Sequence, residues 1–148
     1  MAVTEMERSE PRKADAVLGD EPWLRLRLKA RPEAAGRARH ALDDLRGRID
    51  AAALEALQLL VSEVVTNSIR HAGISSRSVI DLTVKPAGRA VRVEVCDRGR
   101  GFDAGHVPVD ARDVGGWGLY LVQQLAERWG VDQDRVTRVW FEIENPAD

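Results

Sequence analysis

Apolar and basic side chains alternate along Trp23-Leu24-Arg25-Leu26-Arg27-Leu28-Lys29, the period-two mark of a half-exposed strand. The period then changes. Pro32 stands where a first helical turn tolerates proline, and Ala34, Ala38, Ala41, Leu42, Leu45 and Ile49 follow at helical spacing. Gly47 and Asp50 interrupt that pattern, and a second helix is predicted from about Ala51 to Ala72. Its inner stripe is Leu54, Leu57, Val61, Val64, Val65, Ser68 and Ala72, and Gly73 stops it. Two β-rich runs, Ser78 to Lys85 and Ala90 to Cys96, flank Pro86-Ala87-Gly88-Arg89, a hairpin signal that makes them antiparallel neighbours. Asp97 to Gly118 is glycine-rich and irregular. Leu119 to Trp129 reads as a third helix with Leu121, Val122 and Leu125 inward and Gly130 ending it, and Val136 to Glu144 alternates as a closing strand.

The order strand, helix, helix, strand, strand, loop, helix, strand groups the helices on one face of a mainly antiparallel sheet. That is an α+β fold, a two-layer α/β sandwich. Residues 1–20 carry scattered charges and no helical or strand period, and read as a disordered tail before a single folded unit spanning 21–148.

Composition narrows the class. A chain of 148 residues fits one domain able to bury a core, and 44% hydrophobic content with 22 basic against 24 acidic side chains excludes global disorder. No apolar run approaches the ~20 residues that span a bilayer, and the charged N-terminus lacks a signal peptide's apolar centre. The single cysteine excludes an internal disulfide, so a cytoplasmic setting is expected. Near-balanced charge argues against an electrostatic grip on nucleic acid. A local excess does exist: Arg25 to Arg48 holds eight basic and three acidic residues, either a solvated face or a surface for an acidic partner.

Three short segments could carry chemistry. In the second helix Glu63, Asn67, Arg70 and His71 fall at spacings that share a face, away from Leu57, Val61 and Val64. A carboxylate, a carboxamide oxygen and a cation together suit a metal–phosphate site, while the same face could equally be the wet side of an amphipathic helix. Val95-Cys96-Asp97-Arg98-Gly99-Arg100-Gly101 ends an apolar strand on an acid and two spaced glycines. An aspartate there can accept a hydrogen bond from adenine's exocyclic amino group; an Asx turn leaving a strand is the plainer alternative. Gly115-Gly116-Trp117-Gly118-Leu119 opens a helix, where unpaired N–H groups favour an anion, or merely form a loop and helix start. It is neither a Walker A loop nor a Rossmann fingerprint, since no Gly-Lys precedes Ser or Thr and the cluster follows no first strand.

His40, His71 and His106 lack metal-ligand spacing, and Cys96 reads as a small core residue of its strand. Trp129, Trp140 and Phe141 read as core or interface bulk.

Taken together, the three segments resemble the boxes of the ATP-binding fold shared by gyrase, Hsp90, histidine kinases and MutL, the Bergerat fold. Glu63-x-x-x-Asn67 is similar to the N box, Asp97-x-Gly99-x-Gly101 to the G1 box and Gly116-x-Gly118-Leu119-x-Leu121 to the G2 box. The run from Leu59 through Ser62-Glu63-Val64-Val65-Thr66-Asn67 to His71-Ala72 resembles, closer still, the anti-sigma-factor serine/threonine kinases. Ala30-x-Pro32-x-Ala34, Ala38-Arg39 and Thr137-Arg138-Val139-Trp140-Phe141-Glu142-Ile143 do so too. The likeness covers roughly Trp23 to Glu144.

The resemblance implies that Asn67 ligates Mg²⁺ at the ATP phosphates and that Glu63 is the general base toward an incoming hydroxyl. Asp97 would recognise adenine, Gly99 and Gly101 would border the base and a lid, and Gly116, Gly118 and Leu119 would serve the phosphates. Thr137 matches a position that supports the adenine aspartate, although Val136 replaces the glycine often found before it, and Arg70 matches a basic position near phosphate. The implied protein is an ATP- and Mg²⁺-dependent anti-sigma factor and serine/threonine kinase. It would hold a sigma factor, phosphorylate a STAS-type antagonist and dimerise, without contacting nucleic acid or membrane. The rival expectation is a module of the same fold that binds nucleotide or a partner without phosphoryl transfer.

Overall fold

The computed structural model describes residues 21–71, 78–97, 117–133 and 136–146. The strands are β1 (Leu24–Lys29), β2 (Val79–Ala87), β3 (Ala90–Asp97), β4 (Arg128–Gln133) and β5 (Thr137–Glu144). The helices are α1 (Ala34–Ala41), α2 (Ala51–His71) and α3 (Trp117–Leu125), with a 3₁₀ turn at Leu42–Leu45. The strands form one sheet in the order β1-β2-β3-β5-β4, every neighbouring pair antiparallel. The α+β class expected from the hydrophobic pattern is the class observed.

Alternation sets the layers. Ile80, Leu82 and Val84 of β2, Val91, Val93 and Val95 of β3, and Val139, Phe141 and Ile143 of β5 are buried on one face. Against that face lie Ala34, Ala38, Leu42 and Leu45, together with Leu54, Leu57, Leu60, Val61, Val64 and Val65 of α2. This shared burial is the main stabilising term, since each large apolar side chain removed from water is worth roughly 1.5–3 kcal/mol. Among the described residues no helix is long and apolar enough to cross a membrane.

The helical spacing predicted from Ala34 to Ile49 survives as burial but not as one helix. α1 ends at Ala41, the 3₁₀ turn follows, and Ile49 is buried beyond it. Asp50 is a cap for α2: its Oδ2 accepts from the N–H groups of Ala52 and Ala53 at 3.1 and 3.3 Å. The hairpin between β2 and β3 is tighter than predicted. Pro86 and Ala87 pair with Val91 and Ala90, leaving Gly88 and Arg89 as the turn, with Gly88 at φ +65 as the first position of a II′ turn requires.

Three expectations fail. Leu125, expected inward, is exposed at the last position of its helix, while Val122 is buried. The third helix does not run to Trp129; it ends at Leu125, and Trp129 and Gly130 belong to the edge strand β4. An i, i+4 step from Leu125 to Trp129 mimics a further helical turn, whereas pairing with β5 decides the conformation. Gly130 lies opposite Trp140, where a Cβ would come within 2.6 Å of the indole Nε1. Cys96 is not a core residue. It is half-buried on the opposite sheet face, in register with Asp81 and Arg138, because strand parity assigns the core to Val95 and Asp97.

That opposite face is charged. Arg92 pairs with Glu94 at 2.8 Å and with Glu142 at 3.1 Å, Arg128 reaches Glu142 at 3.4 Å, and the Arg92 guanidinium lies 4.1 Å above the Trp140 ring. Trp140 is therefore buried without belonging to the helix-facing core.

Candidate functional site

The sheet contributes one unusual row. Across β1, β2, β3, β5 and β4 the partners are Leu28, Ile80, Asp97, Thr137 and Gln133, so an apolar row turns polar halfway along. Asp97 is the last residue of β3 and only 1% exposed. Its parity is that of Val91, Val93 and Val95, so the sequence pattern that buries three valines also buries a carboxylate beneath the helical layer. A carboxylate in such a place is costly without polar partners, and Thr137 is its cross-strand neighbour.

The helical layer contributes Glu63, Asn67 and Arg70, all on α2. Leu60, Val61, Val64 and Val65 turn inward, leaving Glu63 and Asn67 half-buried and Arg70 exposed. The Oδ1 of Asn67 is itself buried and has no hydrogen-bond partner among the described residues. An orphaned acceptor of this kind is rare in a folded core, and a bound water or cation is among the partners that can satisfy one. A carboxamide oxygen one turn from a carboxylate is a donor set that suits Mg²⁺, so these residues fit the ion.

α2 rests on both β3 and β5, the strands that end and begin with Asp97 and Thr137. It also packs against α3. Gly118 and Leu119 lie in the first turn of α3, where backbone N–H groups have no intrahelical acceptor. Gly99, Gly101 and Gly116 lie outside the described residues.

One contact near Glu63 escaped sequence reasoning. Arg39 Nη1 of α1 donates to Ser62 Oγ at 3.2 Å, placing a cation beside the residue that precedes Glu63. No periodicity links positions 39 and 62. Only the packing of α1 on α2 brings them together.

The family model for the histidine kinase-like ATPase domain matches residues 28–143. The chain belongs to that family. Within it, this histidine kinase-like ATPase domain is 27% identical over 119 residues to the serine-protein kinase RsbW of Oceanobacillus iheyensis, a match covering 71% of this chain and 75% of the relative. The histidine kinase AdeS of Acinetobacter baumannii is a similar solved structure, with a TM-score of 0.48 and 10% identity, covering 99% of this chain and 74% of the other.

Proposed function

We propose that this ATPase-family domain is an ATP- and Mg²⁺-dependent serine/threonine protein kinase that also acts as an anti-sigma factor. Likeness to a serine-protein kinase supports the reading. The observation that carries the metal–phosphate part is the buried Oδ1 of Asn67, without a partner among the described residues and four residues from Glu63 on α2. In this reading the protein works in the cytoplasm, switching between a sigma factor and an antagonist protein as a homodimer.

The roles follow from chemistry. Asp97 accepts a hydrogen bond from the adenine amino group, with Thr137 beside it in the sheet. Asn67 offers its oxygen to Mg²⁺, and the first turn of α3 offers N–H groups to phosphate. Gly99, Gly101 and Gly116 border the nucleotide, Leu119 belongs to the same helix start, and Arg70 supplies positive charge. When bound, Mg²⁺ neutralises phosphate charge, on which phosphoryl transfer chiefly depends. Glu63 takes the proton of the acceptor hydroxyl. The acceptor oxygen then bonds to the γ-phosphorus as its bond to the bridging oxygen breaks, and ADP leaves.

Incubation with labelled ATP, Mg²⁺ and candidate antagonist proteins tests the proposal. Label is expected on serine or threonine, and Glu63→Ala should slow transfer by about 10²- to 10⁴-fold while still binding ATP. Wild-type rates from that variant would refute the role of Glu63. Nucleotide binding with no transfer to any antagonist would favour a non-catalytic binding module.

A further inference from the structure

We infer that Asn145 is a positioning residue for the nucleotide site, holding the helix that carries Glu63 and Asn67 in fixed axial register with the sheet that carries Asp97 and Thr137. The inference rests on the nucleotide reading above. Asn145 follows β5 directly and makes three hydrogen bonds to two separate parts of the chain. Its backbone N–H donates to the Arg89 carbonyl in the β2–β3 turn at 2.9 Å. Its Oδ1 accepts from the Asp50 N–H at 2.8 Å, and its Nδ2 donates to the Arg48 carbonyl at 3.1 Å.

Asp50 is the cap of α2, so the second contact grips the helix at its first turn. An α-helix is stiff along its axis, and the 21 residues of α2 make a rod of about 30 Å. A displacement at Asp50 is therefore carried to Glu63 and Asn67. The other end of the coupling is β5, which starts at Thr137 opposite Asp97 and finishes at Glu144. One carboxamide thus ties the adenine side, built on the sheet, to the metal–phosphate side, built on the helix.

A ligand that touches only the sheet should not sense this tie, whereas one spanning sheet and helix should. The test compares adenosine with ATP·Mg²⁺ by titration of the full chain, for wild type, Asn145→Ala and Asn145→Gln. Asn145→Ala removes both side-chain bonds. Asn145→Gln keeps both groups but sets them one methylene farther out, which preserves folding if alanine does not. Each variant is expected to weaken ATP·Mg²⁺ about tenfold relative to adenosine, the loss of one to two hydrogen bonds' worth of alignment. Simple destabilisation would lower the folded fraction for both ligands alike and leave the ratio unchanged, which would overturn the inference alone. A wild type that takes up neither ligand would overturn the nucleotide reading and the inference with it.

Discussion

Asp97 and Thr137 face one another across the ladder between β3 and β5, on the side of the sheet covered by helices. They are separated by 40 positions in the sequence, yet antiparallel pairing makes them direct cross-strand partners at that end of the sheet. A buried carboxylate beside a hydroxyl gives a fixed acceptor for a base amino group, and the pair leads to the first prediction. Asp97→Asn should weaken adenine nucleotide binding about 10- to 100-fold, and Thr137→Val about 2- to 10-fold, as expected for charged and neutral hydrogen bonds respectively. Calorimetric titration with ATP checks both, and equal affinities in all three proteins would remove Asp97 from the base site.

Asn67 should behave as a residue kept for binding rather than for stability. Its buried Oδ1 has no hydrogen-bond partner among the described residues, an arrangement that costs roughly 1–3 kcal/mol, so Asn67→Ala should be at least as stable as wild type in urea. The same variant should lose the dependence of ATP affinity on Mg²⁺. Titrations with Mg²⁺ and with a chelator would then give the same dissociation constant. A variant that is destabilised and still responds to Mg²⁺ would show that the side chain serves the core.

Gly130 is set by its neighbour. A Cβ there would lie 2.6 Å from Nε1 and 2.9 Å from Cε2 of Trp140, and that indole is buried under Arg92. Gly130→Ala should therefore cost about 1–3 kcal/mol, as overpacking does. Urea unfolding followed by tryptophan fluorescence measures it. An unchanged midpoint would mean that Trp140 moves aside freely.

Acid should loosen the joint between α1 and α2. The carboxyl of Asp43 is held below its ordinary value of 3.8, chiefly by the hydrogen bond from Gln58 Nε2 at 3.0 Å. Desolvation opposes this, while the Arg46 charge, its 2.9 Å hydrogen bond and the His40 charge add to it. Because the folded-state pKa is depressed, the contribution is complete above 3.8 and is lost as pH falls through the folded value. Asp43→Asn should be less stable than wild type at neutral pH, and the gap in urea midpoint should close well below pH 3.8. A gap that stays constant across that range would mean the ionised carboxylate contributes nothing.

Much of the architecture was legible along the chain because burial follows simple periods. Strand parity in Val91, Val93 and Val95 and helical spacing in Leu54, Leu57, Val61, Val64 and Val65 each assign an inner face without reference to any partner. The same periodicity put Glu63 and Asn67 on one helix face and Asp97 at a strand end. It failed where a distant segment overrides local preference. Arg128–Gln133 is a strand because it pairs with β5, although Leu125 and Trp129 continue a helical pattern. Cys96 missed the core by one step of parity, fixed by register with Asp81 and Arg138.

By itself, then, the sequence determined the inner stripe of α2, the pairing of β2 with β3 and which side chains could carry chemistry, since these depend on spacing within single elements or across one short turn. Only the tertiary structure decided that Thr137 stands beside Asp97, that Arg39 reaches Ser62, that Asn145 holds the start of α2, and that Asn67 Oδ1 has no partner among the described residues. Those are relations between segments far apart in the chain, which no local spacing encodes and which depend on the packing of apolar faces that holds the segments side by side.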